Sequence, residues 1–398
     1  MELIGIFFLS ILVSSGFFYT LIMVMAKIGL IKIKYPQNKN FYPSVSVIIA
    51  AKDEEDHIGE TLDRVLTQDY PHDKYEVILL NDASSDKTLE IAQEKAKYYD
   101  NLRVINLGVD CPYASRKKYA LDVGIKSSTG EVLMFTDADC KVNKKWVRTI
   151  AQCYDEKGKV GIVSGMVTLA RAKKRNLFMK IQEIDYIVVT LVASGFFGIG
   201  YPVGANGNNF SYRRSLFDKV NGFKGIEHML SGDDDLMLDK MVKMSKCRVV
   251  FCDAYDAQVY TAPTFNLKSF INQRCRWASK NFNYQRFFLN LMYVMIWAFN
   301  VSLLFGWVFS IISPFVIPFY LGSLGLKTFL DGMIILPNLK KLKRADLMPY
   351  FLPTEIFHIP YVVFIGIVGT FGGWSWKNVA PKTDLVAAQK LQKKLSEK

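Results

Sequence analysis

The chain has 398 residues, of which 50% are hydrophobic and 22% are charged, and its formal net charge is +13. Disordered chains lack this apolar content, and pure membrane bundles lack this fraction of charged residues. The overall composition must therefore combine an apolar membrane region with a more polar region. The six cysteines form no CxxC pair and the four histidines lie far apart, which argues against a zinc site and against a disulfide scaffold.

The N-terminal region is a membrane-span candidate. Residues 3–26 carry no charge, and a helix needs about 20 apolar residues to cross the hydrocarbon core. Lys27, Lys32 and Lys34 follow this segment whereas Glu2 precedes it, so the positive-inside rule places the downstream residues in the cytoplasm. A cleaved signal peptide would have a shorter apolar core preceded by basic residues. We therefore predict a transmembrane anchor over residues 1–30.

Two further apolar regions lie near the C-terminus. Residues 287–326 are long enough for two helices with a turn at Ser313-Pro314, and residues 350–373 are interrupted by Pro353 and Pro360. We assign residues 287–376 to transmembrane or interfacial helices and residues 377–398 to a basic cytoplasmic tail.

The topology of the last apolar region has three solutions. The basic residues Lys340, Lys341, Lys343 and Arg344 before it and the tail after it both prefer the cytoplasm, which a single crossing does not allow. The region is re-entrant, or it lies at the interface, or the tail is outside. Glu355 and His358 within it indicate a polar environment. The excess of positive charge is typical of loops facing an anionic leaflet, and no basic and aromatic array points to nucleic acid.

Residues 36–285 have a different pattern, in which short Val/Ile-rich runs alternate with polar helical stretches. This pattern predicts an α/β domain with a mostly parallel sheet covered on both faces, and such sheets bind ligands at the carboxyl ends of their strands. The predicted strands are 44–51, 77–80, 103–107 and 132–135, and the predicted helices are 56–66, 86–96 and 115–125.

Acidic turns follow three of these strands, at residues 52–55, 81–86 and 137–139. One such turn is commonly only a helix N-cap. Three at one sheet edge repel one another unless a cation or hydrogen-bond donors meet them. Asp137 and Asp139, two residues apart, suit Mg²⁺ or Mn²⁺, which would bridge the phosphates of a nucleotide. The chain has no Walker A sequence and no correctly spaced dinucleotide fingerprint, so ATP hydrolysis and hydride transfer lack support.

Two later motifs also carry chemistry. Asp233, Asp234 and Asp235 could form a solvated loop, or could supply the general base that a hydroxyl nucleophile needs. Gln273, Arg276 and Trp277 fall on one face of a helix, where a guanidinium can hold diphosphate oxygens and an indole can stack on a sugar. An ordinary amphipathic helix at the membrane surface would also carry such residues.

Together these motifs resemble the membrane-bound family 2 glycosyltransferases, which include cellulose, hyaluronan and chitin synthases and ceramide glucosyltransferase. The similarity covers residues 44–277 and is carried by LNDASSD, SRKKYALDVGI, FTDAD, GANGNNFSYRRSLF, GDDD and QRCRW, in that order. Lys117 stands at the motif lysine, and Arg116 stands where the family usually has glycine.

The resemblance implies a GT-A fold and transfer of a sugar, with inversion, from a nucleotide-diphosphate donor, expected to be a UDP-sugar. The base would be Asp234, with Asp233 and Asp235 as alternatives, and Asp137 and Asp139 would hold the metal. The residues implied in donor binding are Ala51, Asp53, Glu54, Asp82, Lys117 and Asp137, and those implied in diphosphate or acceptor binding are Gln273, Arg276, Trp277, Asn206 and Asn208.

The acceptor stays open at this point. The few apolar regions after the catalytic domain make single addition to a lipid-linked acceptor an alternative to growth of a polysaccharide, for which a partner subunit could complete an export channel. Two other classes are a polyprenyl-phosphate glycosyltransferase resembling dolichyl-phosphate-mannose synthase and a non-catalytic nucleotide-sugar-binding membrane protein. A bacterial inner membrane with a cytoplasmic catalytic domain is the expected location.

Overall fold

The computed structural model describes residues 2–171, 175–280, 284 and 286–371, so the predicted tail lies outside the described residues. The chain forms two compact units. An α/β unit comprises residues 33–170 and 200–262, and a helical unit comprises the described residues of 1–32, 171–199 and 263–371.

The α/β unit is built on a seven-stranded sheet in the order β3-β2-β1-β4-β8-β6-β9, beside a small sheet in the order β5-β10-β7. Its strands are β1 (Val45–Ala51), β2 (Tyr75–Asn81), β3 (Leu102–Asn106), β4 (Val132–Phe135), β5 (Lys141–Val142), β6 (Val160–Gly165), β7 (Val167–Leu169), β8 (Phe210–Arg213), β9 (Arg248–Cys252) and β10 (Val259–Thr261). Its helices are α2 (Ile58–Leu66), α3 (Thr88–Ala96), α4 (Arg116–Ser127), α5 (Trp146–Ala151), α7 (Arg214–Lys219) and α8 (Asp235–Met244).

The large sheet is mostly parallel, as the sequence predicts. Strand β1 lies between β2 and β4, with Val47 opposite both Val77 and Met134, and only β8 runs antiparallel to its neighbours. The side chains of β1, β2 and β4 are almost all buried, which explains their unbroken apolar runs. The carboxyl ends of these three strands therefore meet at one edge, where the acidic turns begin.

The helical unit contains α1 (Glu2–Lys32), α6 (Leu177–Gly198), α9 (Leu267–Ala278), α10 (Phe287–Ile312), α11 (Ile317–Lys341) and α12 (Phe351–Phe371). Among the described residues, five helical segments are long and apolar enough to cross a membrane: 2–32, 177–198, 287–312, 314–341 and 345–371. The sequence analysis did not predict the segment 177–198, because Glu183 and Asp185 interrupt its apolar run. In the structure, 67% of its most apolar window is buried.

The C-terminal helices differ in length from the sequence prediction. Helix α11 continues past residue 326 to Lys341, and α12 is one helix through both prolines. Pro353 lies in the first turn of α12, where its missing N–H costs nothing, and Pro360 is tolerated inside the helix.

A polar cluster is buried among α1, α11 and α12. The Lys327 ammonium is 2.7 Å from both Asp331 and Glu355, and Tyr19 donates a hydrogen bond to Asp331. The Lys327 side chain is 1% exposed, so its charge depends on these partners. Glu355, for which the sequence indicated a polar environment, thus forms an ion pair with Lys327 inside the helical unit.

Replacing Lys327 with Met is expected to destabilise the helical unit. It leaves two carboxylates buried without their cation, and breaking a buried pair from one side typically costs about 3–5 kcal/mol. Thermal unfolding in detergent should therefore show a clearly lower midpoint. The double variant Lys327→Met/Glu355→Gln should recover part of the loss, and equal midpoints for the native chain and Lys327→Met would contradict the account.

Helix α9 carries the QRCRW motif, and the second residue of the motif, Arg274, anchors the helix. Arg274 is 3% exposed, forms a 2.5 Å ion pair with Asp185 of α6, and lies 4.1 Å from the centre of the Trp277 ring. Gln273, Arg276 and Trp277 are only partly buried. Arg274 therefore anchors the helix while the three motif residues keep some exposure.

Candidate active site

The turns after β1 and β2 are locked to each other by hydrogen bonds. The Asp53 carboxylate accepts from the Ser85 amide at 2.7 Å, and the Asp53 amide donates to the Ser84 hydroxyl at 3.0 Å. The Glu54 amide donates to the Thr88 hydroxyl at 2.7 Å. Asp53 and Ala83 both have φ of 50°, which is strained for residues other than glycine. Strain held in place by neighbouring bonds is typical of a functional edge.

Asp82 directly follows β2 and is paired with Arg116, the first residue of α4. Its amide donates to the Ala51 carbonyl at 2.8 Å, and its carboxylate accepts from the Arg116 Nε at 2.6 Å. The same guanidinium donates to the carbonyls of Gly108 and Val109. Arg116, which departs from the usual glycine, therefore joins Asp82 to the loop before α4.

The two carboxylates of the FTDAD motif turn towards each other just after β4. One oxygen each from Asp137 and Asp139 and the Cys140 thiol lie within 4.8 Å of one another. Burial, then Asp137, then Glu54 raise the pKa of Asp139 to about 6. Such crowding of like charges is what a divalent cation relieves, and carboxylate oxygens are the ligands that Mg²⁺ and Mn²⁺ prefer. The residues present therefore fit the metal that the sequence predicts.

A threonine on α2 holds this turn in shape. The buried Thr61 hydroxyl lies 2.8 Å from the Ala138 carbonyl and 3.1 Å from the Cys140 carbonyl. No pattern in the sequence marks Thr61, because the contact joins residues 77 and 79 positions apart.

Thr61→Val is expected to weaken Mn²⁺ binding about 10-fold, since outer-shell groups that orient metal ligands commonly contribute 10- to 100-fold to affinity. Valine keeps the shape of threonine but leaves both carbonyls without this donor. Calorimetric titration with Mn²⁺ measures the effect. Thr67, the C-cap residue of the same helix, supplies a matched control. Its hydroxyl donates to the Asp63 carbonyl in an exposed position, so Thr67→Val should bind Mn²⁺ as the native chain does. If Thr61→Val binds Mn²⁺ as tightly as Thr67→Val does, Thr61 does not support the metal site.

Lys117 connects the metal motif to the GDDD motif. Its ammonium lies 2.8 Å from Asp137 and 3.2 Å from Asp233. Burial alone would lower the pKa of Lys117, but Asp137 and Asp233 hold it above its ordinary value. Burial would raise the pKa of Asp233, but Lys117 and Lys118 lower it, so Asp233 is ionised at neutral pH.

The three consecutive aspartates have different surroundings. Asp233 lines a small cavity together with Lys117, Asp137 and Gly207. Asp234 caps α8, with one oxygen accepting from the Asp235 amide at 2.7 Å and the other from the Gly207 amide at 3.1 Å. The Asp235 carboxylate accepts from the Ala205 amide at 2.8 Å. The Asp234 and Asp235 carboxylates thus accept hydrogen bonds from backbone amides, whereas Asp233 forms an ion pair with Lys117; the charge of Asp234 also helps to raise the pKa of Lys117.

The segment from Gly204 to Asn209 passes beside these aspartates. A Cβ on Gly207 would lie 3.3 Å from Asp234 and 3.4 Å from Asp233, so a larger residue would press against both carboxylates. The Asn208 side-chain oxygen and the Thr136 hydroxyl are buried and have no hydrogen-bond partner among the described residues. Thr136 also lines the cavity, and its position directly before Asp137 is the signal that could have identified it.

The predicted site residues therefore fall into two groups. Ala51, Asp53, Glu54 and Asp82, then Lys117, Asp137 and Asp139, and then Asn206, Asn208 and residues 233–235 belong to the α/β unit. Gln273, Arg276 and Trp277 belong to the helical unit.

Comparison with solved structures identifies the class of fold. The mannosyltransferase PcManGT from Pyrobaculum calidifontis, solved with GDP-Man and Mn²⁺, matches with a TM-score of 0.59 at 18% identity, over 92% of this chain and 98% of that chain. The α/β unit has the GT-A fold, and candidate membrane-spanning helices flank it in the sequence.

Sequence comparison relates part of the chain to a known family. Residues 46–220 match the model described as glycosyl transferase family 2. A beta-monoglucosyldiacylglycerol synthase of Trichormus variabilis is 28% identical over 62% of this chain and 50% of its own length. Glycosyltransferase AglE of Haloferax volcanii is 36% identical over 48% of this chain and 59% of its own. The chain spans about half the length of the curated relatives it matches.

Proposed function

We propose that this protein transfers a sugar, with inversion, from a nucleotide-diphosphate sugar to an acceptor at a membrane surface. The observation that carries the proposal is the cluster in which Lys117 joins Asp137 to Asp233, with Asp139 beside them. It combines a pair of metal-binding carboxylates, a cation for phosphate and an ionised carboxylate in one cleft of a family 2 domain.

The donor end of the cleft suits a base with a keto oxygen beside a ring N–H. Asp82 offers an acceptor and Arg116 offers donors at the carboxyl end of β2. Uracil presents an N–H flanked by carbonyl oxygens, and guanine also presents a carbonyl beside an N–H. Cytosine instead presents an amino group and an unprotonated nitrogen. We therefore expect UDP- or GDP-sugars as donors, with UDP-sugars as the first choice.

The chemical step follows from charge placement. An acceptor hydroxyl oxygen attacks the anomeric carbon while the bond from that carbon to the diphosphate oxygen breaks. Asp233 accepts the hydroxyl proton, because it is ionised and lines the cavity beside Asp137. A divalent ion bound by Asp137 and Asp139 would neutralise the diphosphate charge, and Lys117 is placed to contact the same phosphates. Arg276 and Trp277 keep their predicted roles towards the diphosphate and the acceptor.

Three features support a membrane acceptor. The described residues include five helices of spanning length, one relative is named as a synthase of a glycosylated diacylglycerol, and the positive-inside rule favours a cytoplasmic catalytic domain. We propose a lipid or lipid-linked acceptor and a bacterial inner membrane.

The test is release of nucleoside diphosphate by the detergent-solubilised chain. The donors are UDP-glucose, UDP-N-acetylglucosamine, GDP-mannose and a CDP-sugar, each with Mn²⁺ and with EDTA. The acceptors are diacylglycerol, a polyprenyl phosphate and membrane lipid extract. Metal-dependent release with a UDP- or GDP-sugar and a labelled lipid product is expected. A product on polyprenyl phosphate alone would indicate the polyprenyl-phosphate class, and donor binding without release under every condition would indicate a non-catalytic binder.

A further inference from the structure

The first turn of α4 carries three consecutive basic residues, Arg116, Lys117 and Lys118, and no acidic residue. Cations at a helix N-terminus are disfavoured by the helix dipole, so this arrangement opposes helix stability. Each of the three binds different partners. Arg116 binds Asp82, Lys117 binds Asp137 and Asp233, and Lys118 points to the loop before the GDDD motif.

Lys118 is fully buried, with 0% of its surface exposed. Its ammonium donates to the carbonyls of Ile226, Met229 and Ser231, at 2.8, 2.7 and 2.8 Å. An ammonium has three N–H donors, so the three carbonyls saturate it. This one side chain therefore holds the loop over residues 226–231 at three points.

The tethered loop leads directly into the GDDD motif. Ser231 is followed by Gly232, whose φ of 88° suits only glycine, and then by Asp233. Asp233 in turn contacts Lys117, the neighbour of Lys118 on α4. One helical turn thus fixes both the carboxylate of Asp233 and the backbone that delivers it.

We propose that Lys118 is a positioning residue that sets the place of Asp233 in the cleft. The inference rests on the proposed function, because it assigns to Lys118 the geometry of the base. A displacement of a reacting group by about 1 Å can lower a rate about 100-fold, so loss of the tether should affect the chemical step. Donor binding should change little, because Arg116, Lys117, Asp137 and Asp139 stay in place.

The chain provides a matched control in Lys240. It is also buried, and its ammonium donates to the carbonyls of Gly222 and Lys224, at 2.6 and 2.7 Å. It therefore anchors the same stretch of chain, but at the end remote from Asp233. If both lysines only stabilise the fold, replacing Lys118 and replacing Lys240 should change kcat to the same extent.

The experiment compares Lys118→Met, Lys118→Gln and Lys240→Met. With the donor that the native chain uses in the release assay, Lys118→Met should lower kcat about 10- to 100-fold with KM for the donor within about 3-fold. Lys118→Gln, which keeps two donors for the carbonyls, should fold more readily and give an intermediate kcat. Lys240→Met should keep kcat near the native value even if its melting temperature falls. Equal kcat for Lys118→Met and Lys240→Met would overturn the proposal.

Hydrogen exchange of the amides supplies a second measurement, independent of turnover. Lys118→Met should accelerate exchange in peptides covering residues 226–234, and Lys240→Met should do so in residues 221–225. Unchanged exchange over 226–234 would show that the tether does not hold the loop. A native chain that releases no nucleotide from any donor would overturn the proposed function and the positioning role with it, while exchange would still show whether the tether exists.

Discussion

Asp233→Asn is expected to abolish sugar transfer while nucleotide binding persists. Removal of a general base typically lowers the rate about 10²- to 10⁴-fold, and asparagine cannot accept the proton. The donor-side residues Asp82 and Arg116 are untouched, and Lys117 keeps its contact with Asp137. The measurements are nucleoside diphosphate release at saturating donor and calorimetric binding of the nucleoside diphosphate with Mn²⁺.

Asp234→Asn is the matched comparison, one residue away. Asparagine and aspartate are about equally good N-caps, so α8 should keep its start, but asparagine has a single acceptor oxygen and loses the bond from the Gly207 amide. We expect this variant to retain activity within about 10-fold of the native chain, well above Asp233→Asn. The reverse order of activities would make Asp234 the base, as the sequence motif by itself indicated.

Asp139→Ala is expected to abolish metal-dependent donor binding. It removes one of the two carboxylates that face each other after β4. Because loss of an outer-shell partner already weakens metal affinity by about 10- to 100-fold, loss of a ligand should raise the Kd for Mn²⁺ at least about 100-fold. Titration of Mn²⁺ into the protein, with and without nucleoside diphosphate, measures this directly.

Cys140→Ala controls for the third member of the group. The thiol lies 3.4 Å from the Asp139 carboxylate, and its loss removes no oxygen ligand. Hard cations prefer oxygen, so Mn²⁺ affinity should stay within about 3-fold. A loss as large as that of Asp139→Ala would show that the thiol binds the ion, and unchanged affinity in Asp139→Ala would place the metal elsewhere.

Much of the α/β unit could be predicted because its pattern is local. The run over residues 132–135 is a strand with the predicted bounds, and α2 and α3 begin two residues after their predicted starts. Buried parallel strands must be apolar on both faces, and acidic residues can follow them only where the strands end. Strand ends, and with them Asp82, Asp137 and Asp139, can therefore be read from periodicity.

The helix Leu177–Gly198 shows where that reading fails. A prediction from hydropathy treats the helix as surrounded by lipid, where acidic residues are unfavourable. Inside the helical unit, however, Glu183 pairs with Arg344 and Asp185 pairs with Arg274. The contact between Arg344 and Glu183 spans 161 residues of sequence. Charges neutralised by distant residues cannot be recognised from their own segment.

The sequence by itself determined the class of fold and the order of the motifs, and it predicts Asp137 and Asp139 as the metal-binding pair, because strand periodicity and strand ends are properties of neighbouring residues. Only the tertiary structure distinguished among Asp233, Asp234 and Asp235, since their identical side chains differ solely in what surrounds them. Asp234 accepts from the Gly207 amide and Asp235 from the Ala205 amide, whereas Asp233 forms an ion pair with Lys117 of α4. Contacts across more than 25 positions in the chain create that difference, and no local pattern encodes it.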